Sequence, residues 1–323
     1  MIHLELLRKN IRDGLWLWFW CALTLFNLGW LHVWVVSRLD TESFQLILDN
    51  FQFMERMLPV SFAELITYSG RISQFYSEPV VLICVLLWCI SRGSDIVSGQ
   101  LNRGTMEMIL AQPVSRMQVF WSHALVTLAG TILLPLVAWC GSSAGIANAT
   151  ITERAPHSTV TIPLVDLELR NPFIPKQTIT VPLSERVRPV EFLPAASILA
   201  CLGICFAGIT MLLSSLDRFR RRTVGIATGV VLLQMILRIA GLAHESLSWL
   251  LNFTVFATYN PSRFVIYINR DPDVLTSLLL RDHEGVSQGL GPLPSHLLLI
   301  LIGVGCMLAA ALIFRRRDLP APL

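Results

Sequence analysis

Apolar residues gather into six runs, each long enough to cross a membrane, and polar segments separate them. A helical crossing needs about 20 predominantly apolar residues, so the pattern predicts an all-α polytopic membrane protein with six transmembrane helices. The second run is the weakest, because its apolar core from Val80 to Ile90 must be completed by Pro79 and the aromatic residues before it. The predicted spans are residues 15–36, 75–93, 117–140, 195–215, 223–243 and 295–314.

Composition supports a membrane protein. The chain is 54% hydrophobic and 15% charged, with a mean hydropathy of +0.61, whereas ordinary soluble domains are about 25% charged. All seven cysteines lie in or beside apolar runs, so we interpret them as packing residues and not as a disulfide framework. Cys201 and Cys205 share a helix face without His or carboxylate partners nearby, so the sequence predicts no metal site.

Basic residues are concentrated in alternate connecting segments. With both termini in the cytoplasm, the inner segments hold 13 Lys and Arg in 56 residues and the outer loops hold 11 in 136. The positive-inside rule therefore predicts cytoplasmic termini and a multi-pass protein of the cell (inner, cytoplasmic) membrane. Residues 1–14 alternate apolar and charged side chains, which predicts a short interfacial helix; a solvated tail is the alternative.

The loop of residues 149–193 differs in kind from the spans. Thr alternates with Ile or Val in the strings TVTIP at 159–163 and TITVP at 178–182. This period of two predicts strands, and the prolines restrict them to sheet edges. We expect a small β-rich extracytoplasmic insertion between the third and fourth spans.

Motifs for enzymatic chemistry are missing from the sequence. The only lysines are Lys9 and Lys176, and neither belongs to a GxxxxGK phosphate-binding loop. The chain also has no zinc-protease helix motif and no G-x-S-x-G. We therefore expect no catalytic residue, no bound metal or cofactor and no nucleic-acid partner, and a polytopic membrane enzyme is the least favoured alternative.

Among the polar residues within the predicted spans, Asn27, Gln234 and Arg238 stand out. A charged side chain in a span is energetically expensive and often functional. These residues are therefore candidates for a translocation path. The alternative for Arg238 is that its side chain reaches the outer surface, because it lies about five residues from the outer end of its helix.

The connection between the second and third spans consists of two polar parts separated by a proline. Thr105 is predicted to cap a short helix with Glu107 in its first turn, where the helix dipole favours an acid. Pro113 ends that helix, and Ser115 with Gln118 forms a capping box for the third span. The pattern predicts helix, break and helix at the inner surface, although an amphipathic linker explains it equally well.

This connection resembles the cytoplasmic coupling region of type-2 ABC exporter permeases. Those proteins carry an Asp, a Gly-Glu pair, an Arg-Gly-Thr-x-Glu run and a Leu-Ala-x-Pro-x-Ser-Arg run. Two positions depart from that pattern, since Gln100 replaces the usual Glu and Ser122-His123 replaces a common Gly-Lys pair. The matching residues are Asp95, Gly99, Arg103, Gly104, Thr105, Glu107, Leu110, Ala111, Pro113, Ser115 and Arg116.

The resemblance implies an exporter permease subunit that binds no cofactor itself and is driven by Mg-ATP hydrolysis in a separate ABC ATPase subunit. It also implies a second permease copy or a homologue beside it in the lipid bilayer. Residues 94–116 would be the coupling segment, and the alternative is a membrane anchor or assembly factor that docks an extracytoplasmic maturation machine. The residues assigned to ATPase contact or coupling are Asp95, Gly99, Gln100, Arg103, Gly104, Thr105, Glu107, Pro113, Ser115 and Arg116.

Overall fold

A computed structural model describes residues 4–39, 64, 66–154, 159–162, 167–170, 178–281 and 287–317. It contains six helices that are long and apolar enough to cross a membrane, which confirms the predicted all-α polytopic fold. The spans are carried by α1, α3, α5, α6, α7 and α9. In chain order the helices are α1 Leu4–Arg38, α2 Tyr68–Ser73, α3 Pro79–Ser94, α4 Thr105–Leu110, α5 Arg116–Asn148, α6 Leu193–Leu216, α7 Arg220–Ala243, α8 Pro261–Arg270 and α9 Pro292–Arg316.

The first helix is longer than its predicted span. With 35 residues and a rise of 1.5 Å per residue, α1 is about 52 Å long, while the hydrocarbon core of a bilayer is about 30 Å thick. Residues 4–14 continue into the span without a break, where the sequence predicts a separate interfacial helix. Gly14 does not interrupt the helix, because it is buried and keeps helical geometry beside Trp88.

The second span is assembled from several helical pieces. Pro79 occupies the first turn of α3, and a 3₁₀ turn of residues Gln74–Ser77 joins α3 to α2. After α3, the chain continues through a π-helical turn, Asp95–Gly99, and a single α-turn, Gln100–Asn102. The membrane helix therefore extends into the first part of the coupling segment.

Short antiparallel strands form three two-stranded sheets in the described part of the chain. The pairs are β1 with β4, β2 with β3, and β5 with β6. The two predicted strands are confirmed as β2 and β4, and every strand is an edge strand, which suits the neighbouring prolines. The strands are β1 Thr150–Arg154, β2 Thr159–Ile162, β3 Leu167–Arg170, β4 Thr178–Pro182, β5 Leu279–Arg281 and β6 Ser287–Leu290.

Helix α6 lies at the centre of the bundle, in contact with α3, α5 and α9, and α1 packs along α5. Small residues permit these close approaches: a Cβ at Gly208 of α6 would collide with the backbone of Gly303 in α9. Arg116 Nη1 donates to the carbonyl oxygen of Arg317 at 2.6 Å. The beginning of α5 and the end of α9 therefore meet at one end of the bundle, called the terminal end below.

Candidate functional site

The coupling segment forms a helix, a tight turn and a second short helix at the terminal end. The turn occurs at Gly104, whose φ of 68° lies in the left-handed region that favours glycine. Helix α4 follows with Glu107 in its first turn, as predicted, and ends at Leu110, before Pro113. Ser115 Oγ accepts from the Gln118 amide at 3.2 Å and Gln118 Oε1 accepts from the Ser115 amide at 2.8 Å, which confirms the predicted capping box.

The predicted role of Thr105 as a helix cap is wrong. Gly104 occupies the cap position and Thr105 is the first residue of α4. The Thr105 hydroxyl donates to Gln100 Oε1 at 2.6 Å and lies 3.3 Å from the Gln100 carbonyl oxygen. Thr105 therefore closes the turn between the two helical parts, and Gln100, which is buried, provides a neutral acceptor for it.

Asp95 lies inside the subunit and binds Arg103 in a bidentate ion pair. Arg103 Nη1 donates to Asp95 Oδ1 at 2.8 Å and Nη2 donates to Oδ2 at 3.1 Å. The Asp95 side chain is 8% exposed and that of Arg103 is 43% exposed. The hydrogen bond to the carboxylate raises the pKa of Arg103. The pair ties the turn before α4 to the end of the second span, so Asp95 positions the segment and is not presented at its surface.

Three hydroxyl groups tie the π-helical turn to neighbouring spans. Ser214 Oγ of α6 accepts from the Ser98 amide at 3.0 Å and donates to the Ser94 carbonyl oxygen at 3.0 Å. Thr223 Oγ1 of α7 donates to Ser98 Oγ at 3.0 Å. The sequence analysis missed this cluster, although Ser94 and Ser98 are spaced four apart and therefore share a helix face.

Glycine and arginine complete the fixing of the segment. A Cβ at Gly99 would collide with Asp95 Oδ1, so only glycine leaves room for the carboxylate. Arg116 reaches the end of α9, and Arg317 there donates to the Ser215 carbonyl oxygen at 2.8 Å. Of the residues predicted for coupling, Gly99 therefore makes room for the Asp95 carboxylate, and Arg116 connects the segment to α9 of the same subunit.

Helix α4 has one buried face and one exposed face. Met106 is 1% exposed and Ile109 packs in a small cluster with Leu6 and Val119. On the other face Glu107 is exposed, and Met108 is 72% exposed. The exposed residues from here to the start of α5 are Glu107, Met108, Ala111, Gln112, Pro113 and Ser115. They form a surface of apolar and uncharged polar residues with one acid, defined here as the α4 face.

The three residues predicted for a translocation path occupy different places. Asn27 is exposed and donates to the Leu23 carbonyl oxygen of its own helix at 2.7 Å. Gln234 Oε1 accepts from the Val255 amide at 2.9 Å, which docks a 3₁₀ segment onto α7. Arg238 lines a cavity of about 720 Å³ and lies 3.4 Å from Asn260 Oδ1. The structure thus does not gather the three into one site, and their role in a translocation path stays a prediction.

Comparison with known protein families matches almost the entire chain. The family model described as ABC-2 family transporter protein matches residues 4–319, a range that includes all six spans and the coupling segment. No curated protein is similar enough to match the chain.

Proposed function

The chain belongs to the ABC-2 family of transporter proteins and is a membrane permease subunit, and from this premise we propose that it exports its cargo using a separate ATPase. In this proposal the α4 face contacts an ABC ATPase subunit that hydrolyses Mg-ATP. A second permease copy or a homologue completes the membrane pair, and the cargo passes between the two. The basic residues of the connecting segments support cytoplasmic placement of the terminal end.

The observation that carries the proposal is the exposed α4 face, which includes one acid, on a short helix whose other side is held by the rest of the subunit. An isolated six-residue helix is unstable in water, because helices shorter than about 12–15 residues are marginal. Helix α4 is nevertheless held by the Asp95–Arg103 pair, by the Gln100–Thr105 hydrogen bond and by the packing of Ile109. Because these contacts hold its inner side, a partner that binds the exposed side of α4 could move the helix together with the subunit.

The contacts that hold α4 define the route by which its movement would reach the membrane spans. The Asp95–Arg103 pair connects the segment to the second span, and the hydroxyl cluster continues from there into α6 and α7. The capping box at Ser115 joins the segment directly to α5. Closure of two ATPase subunits would therefore tilt the second and third spans together and change access to a path between permease subunits.

Charge reversal at Glu107 tests this proposal. We expect Glu107→Arg to reduce recovery of the ATPase subunit with the tagged permease, while insertion and thermal stability remain unchanged, because Glu107 is exposed. The matched control is Glu185→Arg, since Glu185 is also exposed but lies after β4 in the predicted extracytoplasmic region.

The measurement is a detergent pull-down followed by mass spectrometry and an ATPase assay. An unchanged ATPase yield with Glu107→Arg would contradict the assigned contact. Recovery of extracytoplasmic partners alone, without ATPase activity in the wild-type sample, would replace the proposal with the anchor or assembly-factor alternative.

A further inference from the structure

A charged cavity of about 410 Å³ opens at the terminal end, behind the coupling segment. It lies between α1, the end of α3, the turn before α4 and the beginning of α7. Its charged lining residues are the cations Lys9, Arg92, Arg103 and Arg220 and the carboxylates Asp13 and Asp95. The cations exceed the carboxylates by two, so the cavity favours an anion.

Arg92 is the buried cation of this cavity. The residue is 4% exposed, and its Nη2 donates to the Asn10 carbonyl oxygen at 3.0 Å. Its Nε has no hydrogen-bond partner among the described residues. A buried donor without an acceptor costs free energy, and a charged one costs more. An anion in the cavity would supply the missing acceptor.

Arg220 is also held loosely. Its Nη1 lies 3.8 Å from Asp95 Oδ1, its Nη2 lies 3.3 Å from the Ser91 carbonyl oxygen and 3.5 Å from Ser91 Oγ, and its Nε lies 3.5 Å from Ser94 Oγ. Arg103 already occupies both Asp95 oxygens at 2.8 and 3.1 Å. The guanidinium of Arg220 therefore retains donors for a further acceptor, and guanidinium groups bind phosphate particularly well.

An apolar groove of about 350 Å³ adjoins the charged cavity, and both are lined by Gly14. A Cβ at Gly14 would lie 3.1 Å from Trp88 Cη2 and 3.2 Å from Arg92 Nε. Trp88 lines the groove and Arg92 lines the cavity, so α1 packs closely on both side chains at Gly14, and the cavity and the groove meet there. Half-exposed Leu125 and Leu133 form the outer part of the groove.

We propose that the charged cavity and the apolar groove form one site for an anionic phospholipid. The phosphate binds Arg92, Arg220 and Lys9, and an acyl chain lies in the adjoining groove. The groove distinguishes a lipid from free phosphate, because a free anion leaves it empty. Basic pockets between transmembrane helices are suited to anionic headgroups. The assignment rests on the cavity and the groove and does not depend on the direction of transport.

Thermal unfolding of the full-length chain in detergent tests the site. Dioleoyl phosphatidylglycerol is titrated against dioleoyl phosphatidylcholine and inorganic phosphate, because a ligand that binds the native state raises the melting temperature. We expect phosphatidylglycerol to bind at least about tenfold more tightly than phosphatidylcholine, and phosphate to have no effect at millimolar concentration. A tenfold difference equals about 1.4 kcal/mol, and we expect it because the excess cations of the cavity repel the choline cation of phosphatidylcholine.

Substitutions locate the binding site. Lys9→Gln and Arg92→Gln should each weaken phosphatidylglycerol binding by about tenfold. Arg8→Gln is the matched control, since Arg8 is an exposed neighbour that does not line the cavity. Because Arg92 is buried, the exposed Lys9 keeps the test valid if the Arg92 variant fails to fold. Gly14→Ala should weaken binding of the lipid, because the added methyl group would crowd Trp88 and Arg92 and shift these walls of the groove and the cavity.

Three outcomes would overturn the proposal. Equal stabilisation by the two lipids would show that the net negative charge of the headgroup is not recognised, because both carry a phosphodiester and only phosphatidylcholine adds a choline cation. Equal stabilisation by inorganic phosphate would identify a site for a free anion and leave the groove without a role. Unchanged phosphatidylglycerol binding by the Lys9→Gln and Gly14→Ala variants would place the lipid elsewhere on the protein.

Discussion

The Asp95–Arg103 pair should hold helix α4 in place, and Asp95→Asn tests this directly. The substitution preserves the shape of the side chain and removes its charge. Truncating one partner of a fully buried pair costs about 3–5 kcal/mol, and an exposed pair contributes about 0–1 kcal/mol. Asp95 is 8% exposed and Arg103 is 43% exposed. The expected loss lies between these limits, at about 2 kcal/mol.

Hydrogen exchange of the α4 amides measures that loss. A cost of about 2 kcal/mol raises the local opening equilibrium roughly 30-fold, since 1.4 kcal/mol corresponds to a factor of ten. The Ala111 amide, which donates to the Glu107 carbonyl oxygen at 2.8 Å, lies at the end of α4 and should exchange faster by that factor. Peptides from the buried helix α6 should be unchanged, because among the described residues no hydrogen bond or ion pair joins Asp95 or Arg103 to this helix.

The matched control for Asp95→Asn is Glu107→Gln. Both changes neutralise one acid in the coupling segment, but the Glu107 side chain is exposed and makes no hydrogen bond or ion pair among the described residues. We expect its exchange to equal that of the wild type. Equal exchange rates of α4 in the wild type and in Asp95→Asn would refute the claim that the ion pair fixes this helix.

Two further predictions concern the packing of the spans and of the 3₁₀ segment at 245–257. Gly208→Ala should lower the melting temperature at a cost of about 1–3 kcal/mol, because its methyl group collides with the backbone of α9. Gly305→Ala has open space and should not. Gln234→Ala should speed amide exchange in residues 245–257, whereas Asn27→Ala should not. Lost transport with unchanged exchange would instead support a path role for Gln234.

The spans could be predicted from the sequence because a membrane crossing has a one-dimensional signature. Their limits were less accurate, since the apolar core ends where the bilayer ends while the helix continues. Helix α1 begins at least 11 residues before its predicted span, and the second span continues through the π-helical turn. Hydropathy alone contains no information about either extension, because both lie in polar sequence.

Features of the coupling segment that depend on neighbouring residues could also be predicted from the sequence. The Ser115–Gln118 capping box and the position of Glu107 depend on residues three or four apart, and both were predicted. The Thr105 cap failed because Gly104 adopted left-handed geometry and moved the helix start by one position. The competing turn conformation was available only to glycine, and this is the signal that could have corrected the prediction.

The convergence of charges at the terminal end could not be predicted. Arg92 was counted with the basic residues that orient the protein, and its burial depends on α1 passing beside α3. The meeting of Lys9 and Arg220 with it requires three spans to be neighbours. Hydropathy identifies the spans but does not specify which of them touch. The spacing of Arg92 and Asp95 by three residues was the only local indication.

In the proposed function, binding of the partner and transmission of its movement depend on different residues of the coupling segment. The proposed function assigns partner binding to the exposed α4 face and transmission to the Asp95–Arg103 pair, which is directed inward. Under the proposed function, Glu107→Arg should lose the ATPase while α4 remains ordered. Asp95→Asn should keep the ATPase bound and lose transport, because a loosened helix moves without moving the spans. If both variants lost ATPase binding equally, the partner would recognise the ordered segment as a whole, and the inward and outward roles would not be separable.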